Sequence, residues 1–206
     1  MFIKTLPVGQ LGTNCYVVVD ENTRECAVID PGADAGKILG FITTNSLTVS
    51  AIFLTHAHFD HTMALTEVAE TTKAPVYVNK KENLTGGARE QSRLQSVERL
   101  RFYDEGDEIT VGALVFTVML TPGHTMGSVV LKCENALFTG DTLFAGSCGR
   151  TDLGGDMDMM EESLRRLSLL DGDFEVYPGH ADSSTLSQER RYNYYMIHAN
   201  SGFPNQ

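Results

Sequence analysis

His56-Ala57-His58-Phe59-Asp60-His61 puts three imidazoles and one carboxylate into a single short turn, directly behind the apolar run Ser50 to Leu54. That run reads as a buried strand. A helix beginning near Asp60 keeps His58 and His61, three apart, off one smooth surface. A bent strand-to-helix loop then fans the four side chains around more than one metal centre. Imidazole nitrogen with carboxylate oxygen is a ligand set for zinc and other borderline divalent ions. Loop histidines commonly satisfy only local hydrogen bonds. Half of the protein's six histidines lying within six residues argues against that bland account here.

A metal site draws its donors from segments that the fold brings together. Two later histidines follow Pro-Gly pairs, in Thr121-Pro122-Gly123-His124 and Tyr177-Pro178-Gly179-His180, each behind an apolar, β-rich run. Pro and Gly punctuate a strand end, so each histidine falls on the first loop residue. Phe138-Thr139-Gly140-Asp141 repeats the pattern with a carboxylate. Asp141 by itself reads as a turn residue; in this company it reads as a ligand. Four strand ends thus deliver His or Asp, the way a site on a sheet edge is built.

His56-x-His58-x-Asp60-His61, then His124, Asp141 and His180 in that order, resembles the metallo-β-lactamase-fold hydrolase superfamily. The likeness begins at Asn14-Cys15-Tyr16 and Asp30-Pro31-Gly32. Thr121 to Ser128 and Phe138 to Phe144 resemble the glyoxalase II group, the hydroxyacylglutathione hydrolases; Gly149-Arg150-Thr151-Asp152 resembles its compact single-domain branch. The resemblance implies an α+β fold, an αββα sandwich of two mixed β-sheets with helices on the outer faces, over one domain, residues 1–206. It also implies that His56, His58 and His124 hold one metal, that Asp60, His61 and His180 hold a second, and that Asp141 bridges them. Two divalent ions would be expected, zinc first, with iron or manganese as alternatives. Such ions, about 3.5–4 Å apart, share a hydroxide and lower the pKa of bound water from ~16 towards ~7. Asp60 would add a catalytic role by orienting the hydroxide's proton.

Composition fits that expectation. The chain has 206 residues, 42% of them hydrophobic and 21% charged, enough for one sizeable core. A net charge of −11 disfavours nucleic acid, which is bound through Lys and Arg on phosphates. No stretch reaches the length of a membrane span, and Met1 to Pro7 lack the apolar core of a signal peptide. Cys15, Cys26, Cys133 and Cys148 form no CxxC pair and read as free thiols in a reducing cytosol. Cytoplasmic localisation follows as the expectation; oligomeric state stays open. Cys148, near the expected site, reads as a packed, inert thiol.

Strands are predicted over Tyr16 to Val19, Cys26 to Ile29, Val49 to Leu54 and Val76 to Val78. In the second half they are predicted over Glu108 to Val111, Leu114 to Leu120, Ser128 to Cys133, Ala136 to Phe138 and Phe174 to Val176. Helices are predicted near Ala33 to Thr44, Met63 to Thr72, Met157 to Leu170 and Leu186 to Ala199. The polar stretch Asn79 to Ser96, with Gly86-Gly87, reads as a connector between halves or a cover for the site.

The expected reaction is glyoxalase II-like hydrolysis of a small-molecule acyl thioester of the S-lactoylglutathione class. Iron-dependent persulfide oxygenation and lactone hydrolysis are the alternatives; those oxygenases share the early motif. The all-His/Asp set differs from β-lactamases of this fold, where a Cys commonly takes the place of Asp141. Full-length glyoxalase II carries a helical C-terminal domain that helps hold glutathione, and only one short helical region follows His180 here. Arg150, nine residues after Asp141, is a candidate substrate contact, with an ion pair to Asp152 or Asp156 as the competing reading. Arg190, Arg191, Tyr192, Tyr194 and Tyr195 read at least equally as packing and solvated surface, and His198 as a surface or packing residue.

Overall fold

In the computed structural model, which describes residues 1–85 and 88–201, apolar side chains alternate across strands that are covered on both faces. In β2 (Thr13–Val19), Cys15, Val17 and Val19 join one core, while Tyr16 and Val18 join another. In β3 (Glu25–Ile29), Cys26 and Val28 face the first core, and Ala27 and Ile29 the second. Burial on both faces is why these strands read as unbroken apolar runs.

Two six-stranded sheets result. The first runs in chain order β1 (Phe2–Val8), β2, β3, β4 (Thr48–Phe53), β5 (Val76–Asn79) and β6 (Leu100–Tyr103). Its first two pairings are antiparallel and the other three parallel. The second contains β7 (Glu108–Val111), β8 (Leu114–Leu120), β9 (Val129–Cys133), β10 (Ala136–Gly140), β11 (Glu175–Pro178) and β12 (Ser184–Thr185). Only β10 and β11 pair in parallel there. Phe53, Phe116 and Phe138 are fully buried between the sheets.

Helices cover the outer faces. α1 (Ala35–Thr44) and α3 (Leu65–Thr72) pack Ile38, Ile42, Leu65 and Val68 on the first sheet. α6 (Met157–Ser168) and α8 (Tyr194–Ser201) pack Met160, Leu164, Leu167 and Met196 on the second. This four-layer αββα sandwich is the expected fold.

The differences from the sequence reading lie at edges and breaks. β1 and β6 are edge strands with exposed residues, including Phe2 and Phe102, so their patterns are diluted. The stretch from Asn79 to Ser96 contains α4 (Lys80–Thr85) and α5 (Ala88–Gln95), not a plain connector; Gly86 and Gly87 lie outside the described residues. The helix predicted from Met63 starts earlier, as the short α2 (Phe59–Thr62), and restarts at α3. The last predicted helix breaks at Asn193, which separates α7 (Leu186–Tyr192) from α8. Asn193 Oδ1 accepts from Tyr195 and Met196 N–H, and its Nδ2 donates to Phe144 and Ser147 carbonyls, so it caps the new helix and ties it to the loop after β10.

Among the described residues no helix is long and apolar enough to cross a membrane. The four cysteines are free, and burial pushes the Cys148 thiol up to about 11, which fits a packed, inert group.

Candidate metal centre

The C-terminal ends of β4, β8, β10 and β11 meet at one rim of the sandwich. Val129 N–H donates to the Thr55 carbonyl at 2.9 Å, joining the two sheets there, and Gly179 N–H donates to the Gly140 carbonyl at 2.8 Å. All seven expected ligands converge at this rim. Donor atoms within 4.8 Å of one another form three groups: His56, His58 and His124; His56, His61 and Asp141; and Asp60, His61 and His180. The first and third are the two sets implied by the family resemblance, and Asp141 sits in the group that joins them.

Distances show how tightly the groups are drawn. His124 Nε2 lies 2.8 Å from His58 Nδ1 and 3.5 Å from Asp141 Oδ2. Asp141 Oδ1 is 3.3 Å from His61 Nε2, and Asp60 Oδ2 is 3.2 Å from His180 Nε2. His56 and His61 are fully buried, whereas His58 and His180 are partly exposed, so each outer group has one imidazole towards the opening.

Whether these residues suit a metal can be tested on their unmet valences. Among the described residues, buried His56 Nε2, His61 Nε2 and Asp141 Oδ1 make no hydrogen bond, the last two facing each other at 3.3 Å without hydrogen-bond geometry. Leaving a buried polar atom unsatisfied costs about 1–3 kcal/mol. Three such atoms pointing into one cluster fit a divalent cation that accepts their lone pairs.

Neighbours set the orientation of each ring. His61 Nδ1–H donates to Asp30 Oδ2 at 2.9 Å, which turns Nε2 towards the cluster. Asp30 also accepts from the Thr55 hydroxyl and N–H, at 2.6 and 2.8 Å. His124 Nδ1–H donates to the Arg150 carbonyl at 2.6 Å, again leaving Nε2 inward. Outer partners of this kind hold the tautomer and orientation of metal-binding imidazoles. Gly149 permits the Arg150 contact: a Cβ there would lie 1.9 Å from the Asp141 carbonyl oxygen.

Electrostatics divide the cluster. Burial, then the neighbouring imidazoles, drive His56 well below the ordinary imidazole range. Burial also opposes charge on His61, but Asp141 and Asp30 outweigh it and hold that ring well above the range. Burial works against the Asp60 carboxylate too, yet His180, His61 and the Thr13 hydroxyl hold it below the ordinary carboxylate range.

The loop that carries His180 is anchored by β2. Asn14 Nδ2 donates to the Pro178 and Ala181 carbonyls at 3.1 and 2.9 Å, and Asn14 N–H donates to Gly179 O at 2.8 Å. The Tyr16 hydroxyl donates to Pro178 O at 2.6 Å.

Arg150 enters the site through its backbone. Its guanidinium pairs with both Asp152 oxygens at 2.6 and 2.7 Å, with the two side chains 61% and 67% exposed. Arg190 donates to the Ser168 and Gly172 carbonyls at 2.8 and 2.7 Å, which ties the end of α6 to α7. Sequence reasoning missed the orienting groups. Asp30 stood in a motif without a role, its only signal being an acid before Pro-Gly at a strand end. Thr13, Thr55 and Glu82 carried no signal.

A cleft of about 440 Å³ runs from the β1–β2 hairpin to α2 and reaches Asp60. Val8, Leu11, Phe59 and Met63 supply its apolar wall beside Thr13 and Asp60, and among the described residues no Lys or Arg lines it.

The sandwich and its convergent His/Asp clusters define a metal-dependent hydrolase. The chain belongs to the metallo-β-lactamase superfamily, whose family model matches residues 8–180. It is 33% identical to the probable metallo-hydrolase YqgX of Bacillus subtilis, over 94% of this chain and 96% of that one. It is 33% identical to a hydroxyacylglutathione hydrolase of Bdellovibrio bacteriovorus, over 80% of this chain and 62% of the other. Among solved structures, the BLEG-1 B3 metallo-β-lactamase superposes with a TM-score of 0.83 at 35% identity, covering 95% and 99% of the two chains. ETHE1 from Myxococcus xanthus gives 0.80 at 31%, covering 100% and 92%. TTHA1623 in a di-iron-bound form gives 0.80 at 35%, covering 93% and 99%.

Proposed function

We propose that the protein is a dinuclear thioesterase in which His56, His58 and His124 hold one divalent ion and Asp60, His61 and His180 a second, with Asp141 shared. The observation that carries this reading is the inward convergence of buried His56, His61 and Asp141 atoms that have no hydrogen-bond partner. When bound, a divalent pair supplies a nucleophile from water at neutral pH and polarises an acyl carbonyl. The chain's own residues position the reactants. Asp60, fixed by the Thr13 hydroxyl at 3.0 Å, stands where the cleft meets the cluster and orients the attacking water's proton. The apolar wall of Leu11, Phe59 and Met63 receives the uncharged part of an acyl thioester, and the wall's lack of cations makes a poor seat for an anionic tripeptide.

The likeness to a hydroxyacylglutathione hydrolase supports the reaction class, and the di-iron neighbour keeps iron beside zinc as the native metal. Metal analysis of the purified protein, followed by a thioester panel with thiol detection, tests the reading. Two divalent ions per chain and stoichiometric thiol release are expected. Oxygen consumption with a persulfide substrate and no thioester cleavage would replace it with oxygenation; ring opening alone would replace it with lactone hydrolysis.

A further inference from the structure

We infer that Glu82, which lies outside the seven-ligand set, is a positioning residue that sets how tightly the His56–His58–His124 group holds its ion. Its side chain is 3% exposed, and its two oxygens accept from two different loops: Oε2 from Ala57 N–H at 2.7 Å and Oε1 from Gly127 N–H at 2.9 Å. Ala57 lies between His56 and His58, and Gly127 lies three residues beyond His124. One carboxylate therefore joins the loops that carry all three histidines of that group. Among the described residues no Lys or Arg forms an ion pair with it, so the two peptide N–H groups are its partners.

Glu82 is itself held from behind. Buried Asn79, at the end of β5, donates from Nδ2 to the Tyr103 carbonyl and accepts from Lys81 N–H, each at 3.0 Å, and so fixes the start of α4. The close approach also explains Gly127: a Cβ there would lie 2.6 Å from Glu82 Oε1. A glutamine at 82 offers one acceptor oxygen, and its NH2 faces one of the two N–H groups, donor against donor. The two loops can then no longer both be held.

This inference rests on the metal-centre reading and fails separately from it. If metal-free wild-type protein takes up no Zn²⁺, the reading itself falls before any variant is compared. Metal-free wild type, Glu82→Gln, Glu82→Asp, Gly127→Ala and the remote control Glu105→Gln are titrated with Zn²⁺ against a chromophoric chelator. Each metal-free protein is also melted. One Zn²⁺-binding step of Glu82→Gln is expected to weaken about 10- to 100-fold, the range for lost outer partners of metal ligands. Glu82→Asp, with its charge kept and its reach shortened, falls between, and the control matches wild type. Gly127→Ala gives a similar loss, and combining it with Glu82→Gln adds little, because both break the same contact. Wild-type affinity for both ions in folded Glu82→Gln overturns the inference. A lowered melt with affinity intact also overturns it, leaving Glu82 a packing role. Should Glu82→Gln fail to fold, wild-type affinity in Glu82→Asp overturns it equally.

Discussion

Two regions build the same centre by opposite means. The turn from His56 to His61 places four candidate ligands within six consecutive residues, and acids and a hydroxyl from distant segments hold it: Asp30 and Thr13 through side chains, Glu82 through the Ala57 N–H. The other three ligands come one each from the ends of β8, β10 and β11, and backbone approach sets much of their geometry, as at Gly149 against the Asp141 carbonyl. A local ligand set needs long-range polar partners to fan it out; a dispersed set needs close-packed loops to bring it in.

The largest effect is expected at the residue where the two regions meet. Asp141→Ala should lower thioester cleavage roughly 10³-fold, since several kcal/mol of charge stabilisation is at stake at about 1.4 kcal/mol per decade. Metal content should fall from two ions towards one. Kinetics with parallel metal analysis checks both, and full activity with two ions kept would remove Asp141 as the link. Next comes Gly149→Ala, which tests whether the dispersed set depends on backbone approach. Overpacking against the Asp141 carbonyl should cost about 2–3 kcal/mol in urea unfolding; an unchanged midpoint would show that the loop yields freely.

Asp30→Asn probes the local set. Asp30 has a left-handed φ of 50°, which Asn tolerates, so the backbone should survive. The amide still cannot accept from His61, the Thr55 hydroxyl and Thr55 N–H together. Metal affinity should drop about 10- to 100-fold with the fold retained. If affinity is untouched, the local turn aims its own rings and the contrast between the regions narrows.

The smallest effect lies outside both regions. Glu105 pairs with Arg166, also accepts from Leu120 N–H at 2.7 Å, and is held below the ordinary glutamate range chiefly by the arginine. A carboxyl depressed on folding stabilises the protein above its unfolded pKa, and that contribution disappears as pH falls through the folded value. Both side chains are more than 40% exposed, so Arg166→Met should cost only about 0.5 kcal/mol near pH 7. The gap should close below about pH 4. A persistent acid-side gap would assign the loss to packing.

The sequence showed the strands buried on both faces, because alternation becomes an unbroken apolar run, and it marked the seven His and Asp residues that the fold brings together, because such side chains after Pro-Gly or strand-end signals are rare. It did not show β1 or β6, whose exposed faces mix polar and apolar residues. Glu82 was invisible for a different reason. It is one acid in a polar stretch, and its role exists only because β5, the first ligand turn and the loop after His124 meet in space. Arg150 read either as a substrate contact, by its distance from Asp141 in sequence, or as half of an ion pair with Asp152 or Asp156. Its guanidinium pairs with Asp152, and its carbonyl, which carried no signal in the sequence, is what holds His124.

The clamp that Asn14 places on the loop before and after His180 also orders events in time. It joins positions 164 and 167 residues apart, nearly the length of the chain. Contacts of such separation form slowly, because closure entropy is spent before they reward it. A chain emerging from the ribosome lays down its amino-terminal strands first. By the time residue 124 is out, His56, His58 and His124 are all available. The Asp60–His61–His180 trio must wait until β11 returns to meet β2. Assembly of that trio is therefore a late checkpoint, passed only by a chain in which β2 and the loop after β11 have found each other.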